Sequence, residues 1–76
     1  MNHQLTPFFE PRSVAIIGAS AVPGKPGHEV IKNILANGYS GKLFPVNPKG
    51  GTILGIEVLT SPAALPAECD LAVIIL

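Results

Sequence analysis

Three short apolar runs punctuate the chain, at residues 14–17, 43–46 and 71–76, and between the first two the pattern changes period. Each run is too short for an ordinary helix, is bounded by Gly, Pro, Asn or Asp, and holds the Val/Ile content of a buried strand. The strands are read as 13–18, 41–46 and 71–76. From Gly27 or His28 to Asn37 the spacing is helical: Val30, Ile31, Ile34 and Leu35 fall on one stripe at i, i+1, i+4 and i+5, with Glu29, Lys32, Asn33 and Asn37 off it. Glu29 in the first turn complements the helix dipole, and Gly38 is placed to close the helix.

The remaining segments connect these elements. Residues 1–12 read as an N-terminal arm in which Leu5, Phe8 and Phe9 form a short helical turn over one end of the sheet, stopped by Pro11. Pro45 cannot donate to a ladder, so it belongs near a strand end or on an edge. Residues 47–51 form a turn, and 52–59, interrupted by Gly55, carry a small extra strand at 57–59. Residues 61–65 are a short helical turn with Ser61 as N-cap and Pro62 at its first position. The order strand, helix, strand, short helix, strand predicts parallel strands with right-handed crossovers. This is an α/β architecture, the first part of a Rossmann-like doubly wound sheet. Its ligand site lies beyond the carboxyl ends of the strands, where the loop after Gly18, the turn after Val46 and whatever follows Leu76 converge.

Composition changes this picture in one respect. Of the 76 residues 47% are hydrophobic and only 13% charged, which leaves little polar cover for so small a domain. The run at 71–76, as a parallel strand, calls for helices on both faces. Residues 13–76 are therefore expected to be an incomplete domain, the N-terminal portion of a longer protein, and not to unfold cooperatively as a monomer by themselves.

Charge and aromatic content exclude some partners. Five basic and five acidic residues are scattered along the chain and cancel, and the aromatics are three Phe and one Tyr, so neither a basic stripe nor a stacking platform for nucleic acid is present. The single Cys69 excludes an internal disulfide and a cysteine metal cluster, and fits a reducing, cytoplasmic setting. The N-terminus has neither the basic nor the apolar region of a signal peptide, and no run approaches the roughly 20 apolar residues that span a bilayer.

The candidate chemistry lies in VAIIGASAVPGKPG, residues 14–27, where a buried strand delivers a small-residue loop to a helix start. Unpaired amides there meet the positive end of the helix dipole, which suits a phosphate, and Lys25 adds a mobile positive charge. A dinucleotide fingerprint fails at its second glycine, since Gly18-Ala19-Ser20 replaces G-x-G, and Asn47 stands where a ribose-binding acid is wanted. A Walker A loop fails as well: Gly18 and Gly24 are one residue too far apart, and Pro26 replaces the Mg²⁺-binding hydroxyl. His28 reads as a solvent-facing residue, and Cys69 as packing near a strand entrance.

The combination PRSVAIIGASAVPGKPG, GKLFPVNPKGGTILG and DLAVIIL, at these separations, closely resembles the N-terminal CoA-binding domain of ADP-forming (NDP-forming) acyl-CoA synthetases, relatives of the succinyl-CoA synthetase α subunit. The resemblance covers nearly all the chain from Leu5 onward. It implies that Gly18, Ser20, Gly24, Lys25 and Gly27 belong to the loop that wraps the phosphates of coenzyme A. It also implies that Val46, Asn47, Pro48 and Lys49 belong to a second turn at the nucleotide end. The family reaction interconverts acyl-CoA, ADP or GDP and phosphate with free acid, CoA and nucleoside triphosphate, through an acyl phosphate and a phosphorylated histidine. By resemblance the catalytic histidine, the ATP-grasp domain, the ATP/ADP and the Mg²⁺ lie outside this chain, and neither His3 nor His28 matches the phosphorylated position. The chain is then expected to hold CoA without catalytic or metal-binding residues of its own. It would pack on further synthetase domains or subunits that handle a small carboxylic acid or acyl-CoA. Two alternatives stay open: a CoA-binding regulatory module, as in some protein lysine acetyltransferases or another non-catalytic CoA sensor, and an NAD(P)-dependent oxidoreductase half-domain.

Overall fold

The computed structural model describes residues 11–76; residues 1–10 of the N-terminal arm, with His3, Leu5, Phe8 and Phe9, lie outside the described residues. Strand β1 (Ser13–Ile17) is followed by helix α1 (Pro26–Ala36), strand β2 (Lys42–Val46), a two-stranded hairpin of β3 (Thr52–Ile53) and β4 (Ile56–Glu57), a 3-10 turn at Pro62–Ala64, and strand β5 (Leu71–Ile74). The main sheet has the order β2-β1-β5 and is parallel throughout, a Rossmann-like fragment.

The most apolar β-branched strand takes the centre. In β1, Ala15 and Ile16 are completely buried, and Ile16 lies between Pro45 and Val73 in register. Val14, Ile16, Leu43, Val73 and Ile75 meet Ile31 of α1 in one core, closed by Ala19, Ile53 and Val58. The helical stripe is narrower than its spacing suggests: Ile31 is 0% exposed, Val30 and Ile34 are half-buried, and Leu35 is exposed. On β5 the apolar run stays uncovered in part, with Leu71 at 48% and Ile74 at 65% exposure.

Local sequence explains the boundaries. Helix α1 starts at Pro26, slightly before the apolar stripe, because proline presets the first helical φ where no amide is needed. It ends in a Schellman arrangement, with Gly38 N–H donating to Leu35 C=O (3.1 Å) and Tyr39 N–H to Ile34 C=O (3.4 Å). Pro45 sits on the outer edge of β2. There its carbonyl accepts from Leu59 N–H at 2.8 Å, on the side where its missing donor interrupts no pairing with β1. Ser61 Oγ caps the 3-10 turn by accepting from Ala63 N–H at 3.2 Å.

One segment departs from the sequence reading. Instead of a strand at 57–59, residues 52–57 form a hairpin, and Leu59 makes only an isolated bridge to Val46. Leu54 (φ 49°) and Gly55 (φ 82°) are both left-handed, the conformation that a two-residue hairpin turn demands. Gly55 is therefore the turn itself and not an interruption. No helix among the described residues is long and apolar enough to cross a membrane.

Candidate functional site

At the carboxyl end of β1 the chain turns over β2. Gly18 N–H and Ala19 N–H both donate to the Val46 carbonyl, at 3.1 and 3.2 Å, so the buried Val46 forms the floor of the site. The loop then rises to a crown. Ser20 Oγ accepts from Val22 N–H at 3.1 Å, and Lys25 N–H closes a turn on Val22 C=O at 3.2 Å. With Pro23 and a left-handed Gly24 (φ 92°) at its centre, this is a type II turn.

Helix α1 begins at once, with Lys25 as its N-cap and no side-chain cap. Its first turn presses against the end of β1: a Cβ on Gly27 would lie 2.1 Å from the Gly18 carbonyl oxygen. Gly27 thus lets the positive end of the helix reach the loop that leaves the sheet. Among the described residues, the amides of Ser20 and Ala21 donate to no backbone carbonyl. Gly27 N–H, in the first turn of the helix, is likewise without a backbone acceptor among the described residues, and these three donors, between the end of a parallel strand and the start of a helix, are the open valences of the loop.

Asn47 joins this loop to the turn after β2. Its Nδ2 donates to Ala19 C=O at 2.7 Å, its Oδ1 accepts from Lys49 N–H at 2.8 Å, and its own N–H donates to Leu59 C=O at 2.9 Å. Ser20, Ala21, Val22, Asn47, Lys49 and Ile53 line a cavity of about 110 Å³ between the two segments. Lys25 and Lys49 are exposed and form no ion pair among the described residues. The nine residues singled out by sequence therefore occupy distinct places. Gly18, Gly27 and Val46 build the floor, Ser20, Asn47 and Lys49 line the cavity, Gly24 and Lys25 form the crown, and Pro48 lies exposed at the rim.

His28 departs from the sequence reading: it is 7% exposed and not solvent-facing. It stands three residues before Ile31, so helical period carries it onto the inward face, a signal masked by its polarity. Its Nδ1 lies 3.2 Å from Glu29 Oε2, which also accepts from Gly24 N–H at 3.2 Å. The bond to His28, and then that to the Gly24 amide, hold the Glu29 carboxyl below its ordinary value. Sequence reasoning gave Glu29 only a dipole role.

Two larger cavities, of about 500 and 410 Å³, lie at the opposite end of the sheet, both bordered by Arg12. They sit where the strands begin, and a ligand of an open parallel sheet binds where they end. No three His, Cys, Asp or Glu side chains gather as a metal site among the described residues.

A family model described as a CoA binding domain matches residues 12–76. The chain belongs to the CoA-binding domain family. This CoA-binding domain is 48% identical to the α subunit of ADP-forming acetate–CoA ligase I of Pyrococcus furiosus, over 93% of the chain and 16% of that protein. It is 44% identical to ADP-forming acetate–CoA ligase II of Archaeoglobus fulgidus, over 92% of the chain and 10% of that protein. Among solved structures, the apo dinucleotide-forming acetyl-coenzyme A synthetase 1 of Ca. Korarchaeum cryptofilum superposes with a TM-score of 0.83 at 33% identity, over 95% of this chain and 16% of that one. The chain thus spans about a sixth or less of these relatives' length, and the two curated relatives are ADP-forming acetate–CoA ligases.

Proposed function

We propose that residues 13–76 hold coenzyme A for an ADP-forming acyl-CoA synthetase, with the phosphates on the loop from Gly18 to Gly27 and the nucleotide end against Val46 to Lys49. The observation that carries this reading is that, among the described residues, the amides of Ser20, Ala21 and Gly27 donate to no backbone carbonyl, beside the cavity that Ser20, Ala21, Asn47 and Lys49 line. A helix terminus contributes about 0.3–1 kcal/mol to an exposed anion and up to about 2 when partly buried. Lys25 and Lys49 supply the further positive potential that a diphosphate and a 3′-phosphate require, in a chain with no net charge. The cavity of about 110 Å³ has room for one group of the cofactor, so the remainder lies along the exposed crown and rim.

The parent reaction, by this reading, joins a small carboxylic acid to CoA with ATP/ADP and Mg²⁺ bound elsewhere, in the cytoplasm, where the free Cys69 stays reduced. The chain's own residues bind and orient CoA; no proton or phosphoryl transfer is assigned to them. Isothermal titration of the full-length protein tests this. Lys25→Ala should weaken CoA binding by roughly tenfold, the loss of one charge-assisted contact, and leave pantetheine, which has no phosphates, unaffected. Equal losses for both ligands would remove the phosphate role.

A further inference from the structure

The crown of the phosphate loop is tied down by a side chain that belongs to the helix behind it. Within the turn from Val22 to Lys25, Pro23 has no amide hydrogen and Lys25 N–H is committed to Val22 C=O. The orientation of the central Pro23–Gly24 peptide therefore depends on what Gly24 N–H bonds to. Its partner is Glu29 Oε2, at 3.2 Å, and the same oxygen lies 3.2 Å from Nδ1 of the buried His28. Glu29 is itself fixed, because α1 is pinned by Gly27 against Gly18 and by Ile31 in the core. Gly24, Glu29 and His28 thus form a chain of hydrogen bonds from the loop to the rigid part of the fold.

We propose that Glu29 is a positioning residue for coenzyme A: its carboxylate locks the Pro23–Gly24 peptide in the type II orientation, and so fixes where Lys25 leaves the backbone. This inference rests on the reading that the CoA phosphates occupy this loop. A carboxylate beside an anion would by charge alone oppose binding, and its removal would tighten the complex. Positioning predicts the reverse. Without Glu29 the central peptide is free to turn over, and the ordering of the loop is then charged against binding.

The test compares wild type, Glu29→Gln and Glu29→Ala in the full-length protein, reading CoA affinity by calorimetry and, without ligand, the hydrogen-exchange rate of the Gly24 amide by NMR. Glutamine keeps an acceptor oxygen and discards the charge. Glu29→Gln should bind CoA within about twofold of wild type and keep Gly24 protected. Glu29→Ala should bind roughly three- to tenfold more weakly, the scale of one lost hydrogen bond, with Gly24 exchange accelerated. CoA binding in Glu29→Ala as tight as wild type or tighter, or Gly24 exchange unchanged in that variant, overturns the proposal. Failure of the wild type to bind CoA would instead overturn the reading beneath it, while Gly24 exchange in the ligand-free proteins would still decide whether the tether exists.

Discussion

A single methyl group added at Gly27 asks how closely helix and strand must meet. In Gly27→Ala the new carbon would lie 2.1 Å from the Gly18 carbonyl oxygen and 3.1 Å from both Gly18 C and Ala19 Cα. All three are backbone atoms and cannot rotate aside, and the closest contact falls more than about 1 Å short of van der Waals separation. The first turn of α1 must therefore withdraw from the end of β1. Overpacking of this kind costs about 1–3 kcal/mol, and the better helix propensity of alanine returns up to about 1. The net loss, up to about 3 kcal/mol, lowers the melting temperature of the transition that includes this domain. Because the displaced turn carries the phosphate loop, CoA affinity should fall by about tenfold or more alongside stability. Gly24→Ala is the comparison: nothing lies within 4 Å of its added carbon, and the penalty arises from the left-handed φ of 92° alone. Thermal unfolding and calorimetry of both variants in the full-length protein are the assays. A Gly27→Ala protein as stable as wild type that binds CoA equally well would refute the reasoning from close approach.

Three other outcomes follow from the same geometry. Asn47→Ala removes the bonds to Ala19 C=O and from Lys49 N–H, at about 1 kcal/mol each, so stability and CoA affinity should drop together; calorimetry showing neither change would exclude Asn47 as the clasp between the two segments. Tyr39 donates its hydroxyl to Pro11 C=O at 2.7 Å, and burial first, then the charges of Asp70 and Cys69, raise its ionisation above the ordinary 10.0. The folded state therefore holds that proton more tightly than the unfolded one, so stability falls as pH rises above about 10, and denaturant titrations of Tyr39→Phe should show a shallower fall. The Glu29 carboxyl is shifted the other way, so its contribution is present above its unfolded value of 4.5 and lost as pH drops through the lower folded value; denaturant titrations of Glu29→Gln should show a shallower loss of stability below pH 4.5 than wild type, and the same pH dependence near neutrality.

Much of the frame could be read from residue type. The β-branched run at Val14–Ile17 could be little but a buried strand, Gly38 closes the helix, and Ser61-Pro62 announces the 3-10 turn, because in each case one local preference decides the conformation; the start of the helix lies at Pro26, a residue or two before the Gly27 or His28 that the spacing predicts. Reading failed where a residue's role depends on a distant partner. Gly55 looks like a break in a strand until Thr52 is seen opposite Glu57. His28 is polar, yet the helix turns it inward beside Ile31, and Glu29 serves the loop five residues back rather than the dipole alone. By themselves the residues point only to a phosphate; coenzyme A comes from the family resemblance that PRSVAIIGAS, PGKPG and FPVNP carry together. The division between floor, cavity and crown depends on hydrogen bonds such as Asn47 to Ala19, which join residues 28 apart in sequence.

The central claim is that the phosphates of coenzyme A rest on the loop between β1 and α1. An amide-resolved NMR titration of the full-length protein with CoA, repeated with NAD, tests it most directly. The predicted result is that Ser20, Ala21, Lys25 and the backbone of 47–49 shift and saturate together with CoA and stay still with NAD. Shifts gathered instead around Arg12 and Tyr39 at the opposite end of the sheet, or the same loop saturating as readily with NAD, would contradict it.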